Sequence, residues 1–153
     1  MEIARSAGVK TILNPAPAVK LPYGILSLCD FITPNETETE TLTGVNVSTL
    51  EDADAACKKF EEMGVKNPII TLGERGAYLH NHGLIKSYSV GKVLETTGAG
   101  DAFNGGFAAA LAEGRSTLDA INFGCATAGI SVTRAGTAPS MPTRDEVEKI
   151  LIT

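Results

Sequence analysis

The sequence predicts an α/β layered fold, a mainly parallel sheet flanked by helices with one antiparallel hairpin. Three observations carry that prediction. Short β-rich runs alternate with segments whose apolar residues recur every three or four positions. Residues 67–73 are apolar on both faces, as a strand inside a parallel sheet must be. The 153 residues, 43% hydrophobic and 20% charged, suit a single domain spanning 1–153 with its own core. No repeat, low-complexity tract or linker interrupts it.

Residues 1–7 read as the end of a helix, with Gly8 just beyond its C-terminus. Seven residues without an N-cap are too few to nucleate a helix. They read either as the tail of a helix begun before Met1 or as a frayed terminal turn. Residues 9–13 form a strand that stops at Asn14, Pro15, Ala16 and Pro17, because proline donates no ladder bond. Residues 29–32 form a second strand, ending at Thr33 and Pro34. A helix runs over 36–42 and stops at Gly44. Ser48 and Glu51 are spaced as a capping box, and Ala53, Ala56, Cys57, Phe60 and Met63 follow at helical spacing up to Gly64.

After the buried strand at 67–73, residues 77–80 and 84–89 form a hairpin around Asn81, His82 and Gly83. A short strand at 92–94 leads into a glycine-rich run. Phe103, Phe107, Ala110 and Leu111 mark a helix that ends at Gly114. Ser116 opens another, with Leu118, Ile121, Cys125, Ala128 and Val132 on one face. Thr143 and Glu146 cap a last helix holding Val147, Ile150 and Leu151.

Charge narrows the function. With 13 basic and 18 acidic residues the net charge is −5, which argues against nucleic acid or an anionic membrane as partner. The uncharged stretch at 120–133 is shorter than the roughly 20 apolar residues a bilayer needs. Cys29, Cys57 and Cys125 are far apart and odd in number, so reduced thiols of a cytoplasmic protein are expected rather than disulfides or zinc. The first six residues lack the apolar core of a secretory signal. His80 and His82 flank a turn without a partner motif and read as exposed. Cys125 lies on an apolar face and reads as packed.

The richest segment is T-T-G-A-G-D over residues 96–101, a glycine turn before a helix. Backbone N–H groups there point at one spot, and the positive end of the helix reinforces them. A phosphoryl group would rest on the amides of Ala99, Gly100 and Asp101 while a hydroxyl approaches the Asp101 carboxylate. Phosphoryl transfer asks for that alignment, with a carboxylate to take the hydroxyl proton. A tight loop with Asp101 complementing the helix dipole explains the same spacing equally well. A dinucleotide fingerprint would need glycine where Phe103 stands, and no Walker GK[ST] is present.

Asn35 and Glu38, spaced N-x-x-E at a helix start, would present an amide and a carboxylate to hydrated magnesium and phosphate. A simple N-cap is the stronger reading of that spacing taken alone. Residues 71–76 lie at the carboxyl end of a buried strand, where open α/β sheets bind ligands, though a strand-to-hairpin turn accounts for them too. Residues 134–140 leave a helix, and their carbonyls and hydroxyls could wrap a cation or merely cap it.

The run from Glu95 to Phe103, with the N-x-x-E box upstream, resembles the signatures of the ribokinase-like (PfkB) family of sugar kinases, whose usual form is D-T-x-G-A-G-D. The N-P-A-P run at 14–17, T-P-N-E at 33–36 and G-T-A-P-S at 136–140 resemble its ribokinase branch, so the match covers nearly the whole chain. The resemblance implies phosphoryl transfer from ATP to a sugar hydroxyl, with D-ribose giving ribose 5-phosphate. It makes Asp101 the base and places Gly98, Ala99 and Gly100 in the anion hole. It lines the ATP site with Asn35, Thr71, Leu72, Gly73, Glu74, Arg75 and Gly76, beside Gly100 and Asp101. Glu38 would assist Mg2+, and Cys125 stands beside the nucleotide where relatives often carry histidine or asparagine. An activating K+ would be held by groups of Glu95, Thr97, Ser131, Arg134, Gly136 and Ser140.

Glu95 departs from the usual aspartate of that signature. Nothing matches the family's N-terminal half, with its G-G signature, most sugar contacts and small β-sheet lid. The chain is therefore expected to be the C-terminal half, with open strand edges that a homodimer could cover. Two alternatives stand beside the sugar kinase. One is a nucleotide-binding chain without catalysis; the other is a relative acting on fructose, a nucleoside or a hydroxymethylpyrimidine.

Overall fold

Proline decides how far the first strands run. In the computed structural model, which describes residues 1–152, β1 is only Ile12–Leu13 and β2 only Phe31–Ile32. Pro15 and Pro34 follow two residues later, and neither supplies a ladder donor. β3 spans Asn67–Thr71 and ends before Gly73, which turns the chain at φ 55°. β4 (Gly76–Leu79) and β5 (Gly83–Lys86) form the hairpin around Asn81, at φ 65°.

The strands lie in the order β1-β2-β3-β4-β5. β1 to β2 and β2 to β3 run parallel, with Ile12 opposite Phe31 and Ile32 opposite Pro68. β3 and β4 run antiparallel, with Ile70 opposite Tyr78. The sheet is therefore mixed, its parallel part joined to the hairpin through β3.

The strand expected at 92–94 does not form. Leu94 and Glu95 both donate their amides to the Val132 carbonyl, at 2.8 and 3.2 Å, so this backbone bonds to a helix exit instead of a ladder. Val93 and Leu94 stay exposed.

By contacts the chain divides into two compact units. The first holds Met1–Gly73 with Ala77–Leu84; the second holds Glu74–Gly76 and the described chain from Ile85. In the first, α1 (Glu2–Ser6) is a single exposed turn, and Met1 gives it no side-chain cap. α2 (Glu36–Thr43) starts at Asn35 and closes at Gly44. α3 (Leu50–Glu62) is capped by Thr49 and Asp52, one residue beyond the Ser48 and Glu51 expected from spacing. Asp52 Oδ2 accepts from both Ser48 and Thr49 amides, at 3.1 and 2.8 Å, and this double use sets the register.

α3 buries Ala53, Ala56, Cys57 and Phe60 of the face its spacing predicts, but Met63, the last of that series, falls past the helix end at Glu62 and is exposed. Ala53, Ala56 and Cys57 pack with Ile70, Leu72 and Tyr78, and Phe60 packs with Cys29, Ile32 and Val65. His80 is not the exposed side chain expected. Its Nδ1 lies 2.9 Å from Asp54 Oδ1 on α3, which also accepts the Tyr78 hydroxyl at 3.0 Å.

The second unit is built on α4 (Ala99–Ala112), α5 (Thr117–Ser131) and α6 (Arg144–Leu151). α4 and α5 approach closely because glycines face the contact. A β-carbon on Gly106 would lie 2.4 Å from Thr127 Oγ1, and one on Gly124 2.9 Å from the Phe103 carbonyl. Arg115 stacks on Phe123 at 4.8 Å and pairs with Glu148, tying α5 to α6. Among the described residues no helix is long and apolar enough to cross a membrane.

Candidate active site

The site in the second unit starts at Gly98. Its φ of 81° lies in the left-handed region, where a β-carbon is costly, and it serves as the N-cap of α4 without a side chain to bond the first turn. The first-turn amides must then find other partners. Ala99 donates to the Thr96 carbonyl at 3.1 Å and Ala102 to Gly98 at 2.9 Å. Gly100 and Asp101 amides have no partner among the described residues. Of the three amides expected to face a phosphoryl group, two are therefore unbonded among the described residues, because a local turn takes up Ala99.

Asp101 sits in this same first turn, exposed, with no ion pair or hydrogen bond on its carboxylate among the described residues. It is not turned into the interior. One turn on, Asn104 Nδ2 donates to the Gly100 carbonyl at 2.9 Å.

The exit from α5 lies against the turn before α4. Glu95 Oε2 accepts the Gly136 amide at 2.9 Å, and a β-carbon on Gly98 would touch Thr137 Cγ2 at 3.2 Å. Ser140, 2% exposed, donates its hydroxyl to the Thr137 carbonyl at 2.6 Å. Ser131 donates to Ala128 at 2.9 Å, and its own carbonyl accepts from Arg134 at 3.1 Å. The Arg134 guanidinium pairs with Glu146 on α6, and that bond holds the Glu146 carboxyl down at about 2.

Of the groups expected around a monovalent cation, the Glu95 oxygen Oε2 is spent on an amide. The carbonyls of Thr97, Arg134 and Gly136 accept no hydrogen bond among the described residues, so their lone pairs are not taken up locally. Also in this unit, Cys125 is 4% exposed, and burial pushes its thiol up to about 12.

In the first unit, Asn35 and Glu38 form a reciprocal capping box. Glu38 donates its amide to Asn35 Oδ1 at 2.9 Å, and Asn35 donates its amide to Glu38 Oε2 at 2.8 Å. Thr71 donates its amide to the Pro34 carbonyl at 2.9 Å, bringing the end of β3 beside this box. Leu72 is buried and Gly73 exposed. Glu74, Arg75 and Gly76 belong to the second unit. There Gly76, at φ 113°, leaves only 2.0 Å between a β-carbon and the Ile85 carbonyl, so the hairpin start admits glycine alone. Among the described residues no three His, Cys, Asp or Glu side chains converge on a metal position.

Two contacts had no signal in the sequence, the double acceptance by the Val132 carbonyl and the seating of Thr137 on Gly98. Each joins residues far apart in the chain, so no local pattern encodes them.

The profile of the pfkB family carbohydrate kinases matches residues 1–144. The chain belongs to this family. A pfkB relative, the ribokinase of Haemophilus influenzae, is 48% identical over 98% of this chain and 50% of its own length. The crystal structure of ribokinase from Thermotoga maritima superposes with a TM-score of 0.86 at 41% identity, over 99% of this chain and 52% of that one. The structure of Arabidopsis thaliana ribokinase complexed with ribose and ATP superposes with a TM-score of 0.90 at 35% identity, over 98% and 50%. The chain thus spans about half the length of the pfkB relatives it matches.

Proposed function

We propose that this chain carries the nucleotide-binding and catalytic part of an ATP-dependent sugar kinase, with ribose as the acceptor. The observation that carries the reading is the first turn of α4. There an exposed carboxylate and two amides, all without a partner among the described residues, stand together at the positive end of a 14-residue helix. The helix dipole and amides favour a phosphoryl group there, and the carboxylate is placed to accept a proton from a hydroxyl. Asp101 is the base in this reading. The Gly100 and Asp101 amides hold the phosphoryl oxygens, and Gly98 sets their direction.

Within the first unit, Asn35, Thr71, Leu72 and Gly73 are the residues that would meet a nucleotide. Glu38 would lend its second carboxylate oxygen to hydrated magnesium, which supplies charge neutralisation on the phosphates when bound. The Thr97, Arg134 and Gly136 carbonyls would hold potassium. Ribose is favoured because a relative that superposes over 98% of this chain is complexed with ribose and ATP. A cytoplasmic setting suits ATP as substrate and the three free, buried thiols.

The test is ribose-dependent ADP release by the protein and by Asp101→Asn. Loss of the base lowers turnover by about 10²- to 10⁴-fold with an unchanged melting temperature. Undiminished turnover in the variant overturns the role of Asp101. A second reading, a nucleotide-binding chain without catalysis, is favoured by the loss of one expected cradle amide, Ala99, to the Thr96 carbonyl. ATP binding by wild type with no ADP release under ribose selects it.

A further inference from the structure

Four contacts converge between the turn that opens α4 and the 132–140 segment. Leu94 and Glu95 hang from the Val132 carbonyl, Thr137 seats on Gly98, and the Glu95 carboxylate reaches the Gly136 amide. The first three are backbone bonds or packing. The fourth is the one charged contact among them, and it spans 41 residues of sequence. At its far side the 132–140 segment is tethered to α6 through Arg134 and Glu146. Glu95 therefore closes a frame whose inner edge is the Gly98 N-cap.

We propose that Glu95 is a positioning residue, whose carboxylate latches Gly136 and so holds the Gly98 turn and the amides behind it in register. The role rests on the phosphoryl-transfer reading of the α4 turn for its consequence, but the latch exists independently of it. The glutamate side chain reaches the Gly136 amide at 2.9 Å, and an aspartate would carry its carboxylate one methylene nearer its own backbone. A hydrogen-bond latch and a charge that serves a cation make opposite demands. The latch needs an acceptor oxygen at glutamate reach, whereas a cation needs the negative charge and tolerates aspartate.

The experiment is native-state amide exchange of Gly136, with ATP affinity measured on the same samples, for the 153-residue chain and for Glu95→Gln, Glu95→Asp and Glu95→Ala. A latch keeps Gly136 protection in the glutamine variant within about threefold of wild type, and costs the aspartate and alanine variants about tenfold or more. ATP affinity follows the same order. Protection lost in glutamine but kept in aspartate overturns the proposal, as does protection equal in all four proteins. Should the alanine variant fail to fold, the glutamine and aspartate pair decides alone. Absence of ATP binding in wild type would count against the kinase reading, while Gly136 exchange still decides the latch.

Discussion

A single hydrogen atom at Gly98 does two jobs. It permits φ 81°, and it leaves room for Thr137, whose Cγ2 would stand 3.2 Å from a β-carbon there. Gly105, in the same helix, has open space where its β-carbon would go and an ordinary helical backbone. Alanine should therefore act oppositely at the two positions. Gly98→Ala is expected to lower unfolding free energy by about 1–2 kcal/mol, the cost of a left-handed alanine. Gly105→Ala is expected to raise it by about 0.5–1 kcal/mol through helix propensity. Urea denaturation of both variants checks the pair. The same turn explains why one amide of the expected cradle is absent. Beside the left-handed Gly98, Ala99 bonds the Thr96 carbonyl, and among the described residues only its two successors keep unbonded amides.

Elements here are held by their ends. At α3 the spacing points to Ser48 and Glu51, but the cap is Thr49 with Asp52, whose carboxylate collects two amides and settles the register. At α6 the Glu146 carboxylate takes the Thr143 amide at 2.8 Å and the Arg134 guanidinium as well. Chiefly because of Arg134, its folded value of about 2 lies below the ordinary 4.5. A depressed carboxyl adds stability that is fully present above its unfolded value and is lost as pH falls through the folded one. The expected outcome is a decline in stability between pH 4.5 and about 2 that Glu146→Gln makes shallower. Urea midpoints across that window check it, and equal slopes in both proteins would contradict it.

Across the whole molecule, the three cysteines report on intactness. Cys29, Cys57 and Cys125 are free and buried, and burial raises all three thiols, Cys57 and Cys125 to about 12. A thiol-specific chromogenic reagent should label the native protein slowly and all three thiols rapidly in denaturant, since only the thiolate reacts. Fast labelling of the native protein would show an opened core. The buried face of α4, the caps at Asn35 and Thr143 and the glycine turn at 96–101 were legible in the sequence, because each is written within a few residues by periodicity, cap chemistry or missing side chains, whereas the α3 cap fell one residue away and Met63 and Leu118 are exposed. The frame around Gly98 was not, because its bonds join residue 95 to residue 136 and residues 94 and 95 to residue 132. The same limit hid the partner of His80, which lies 26 residues away on α3. What the chain determined alone was the order of elements, the strand expected at 92–94 excepted, and the place of an acidic, amide-rich helix start, both products of local physics. Which amides stay free, which strand runs antiparallel to β3 and what Glu95 holds were decided only when distant segments met, since those outcomes depend on which donors and acceptors the tertiary packing brings within bonding distance.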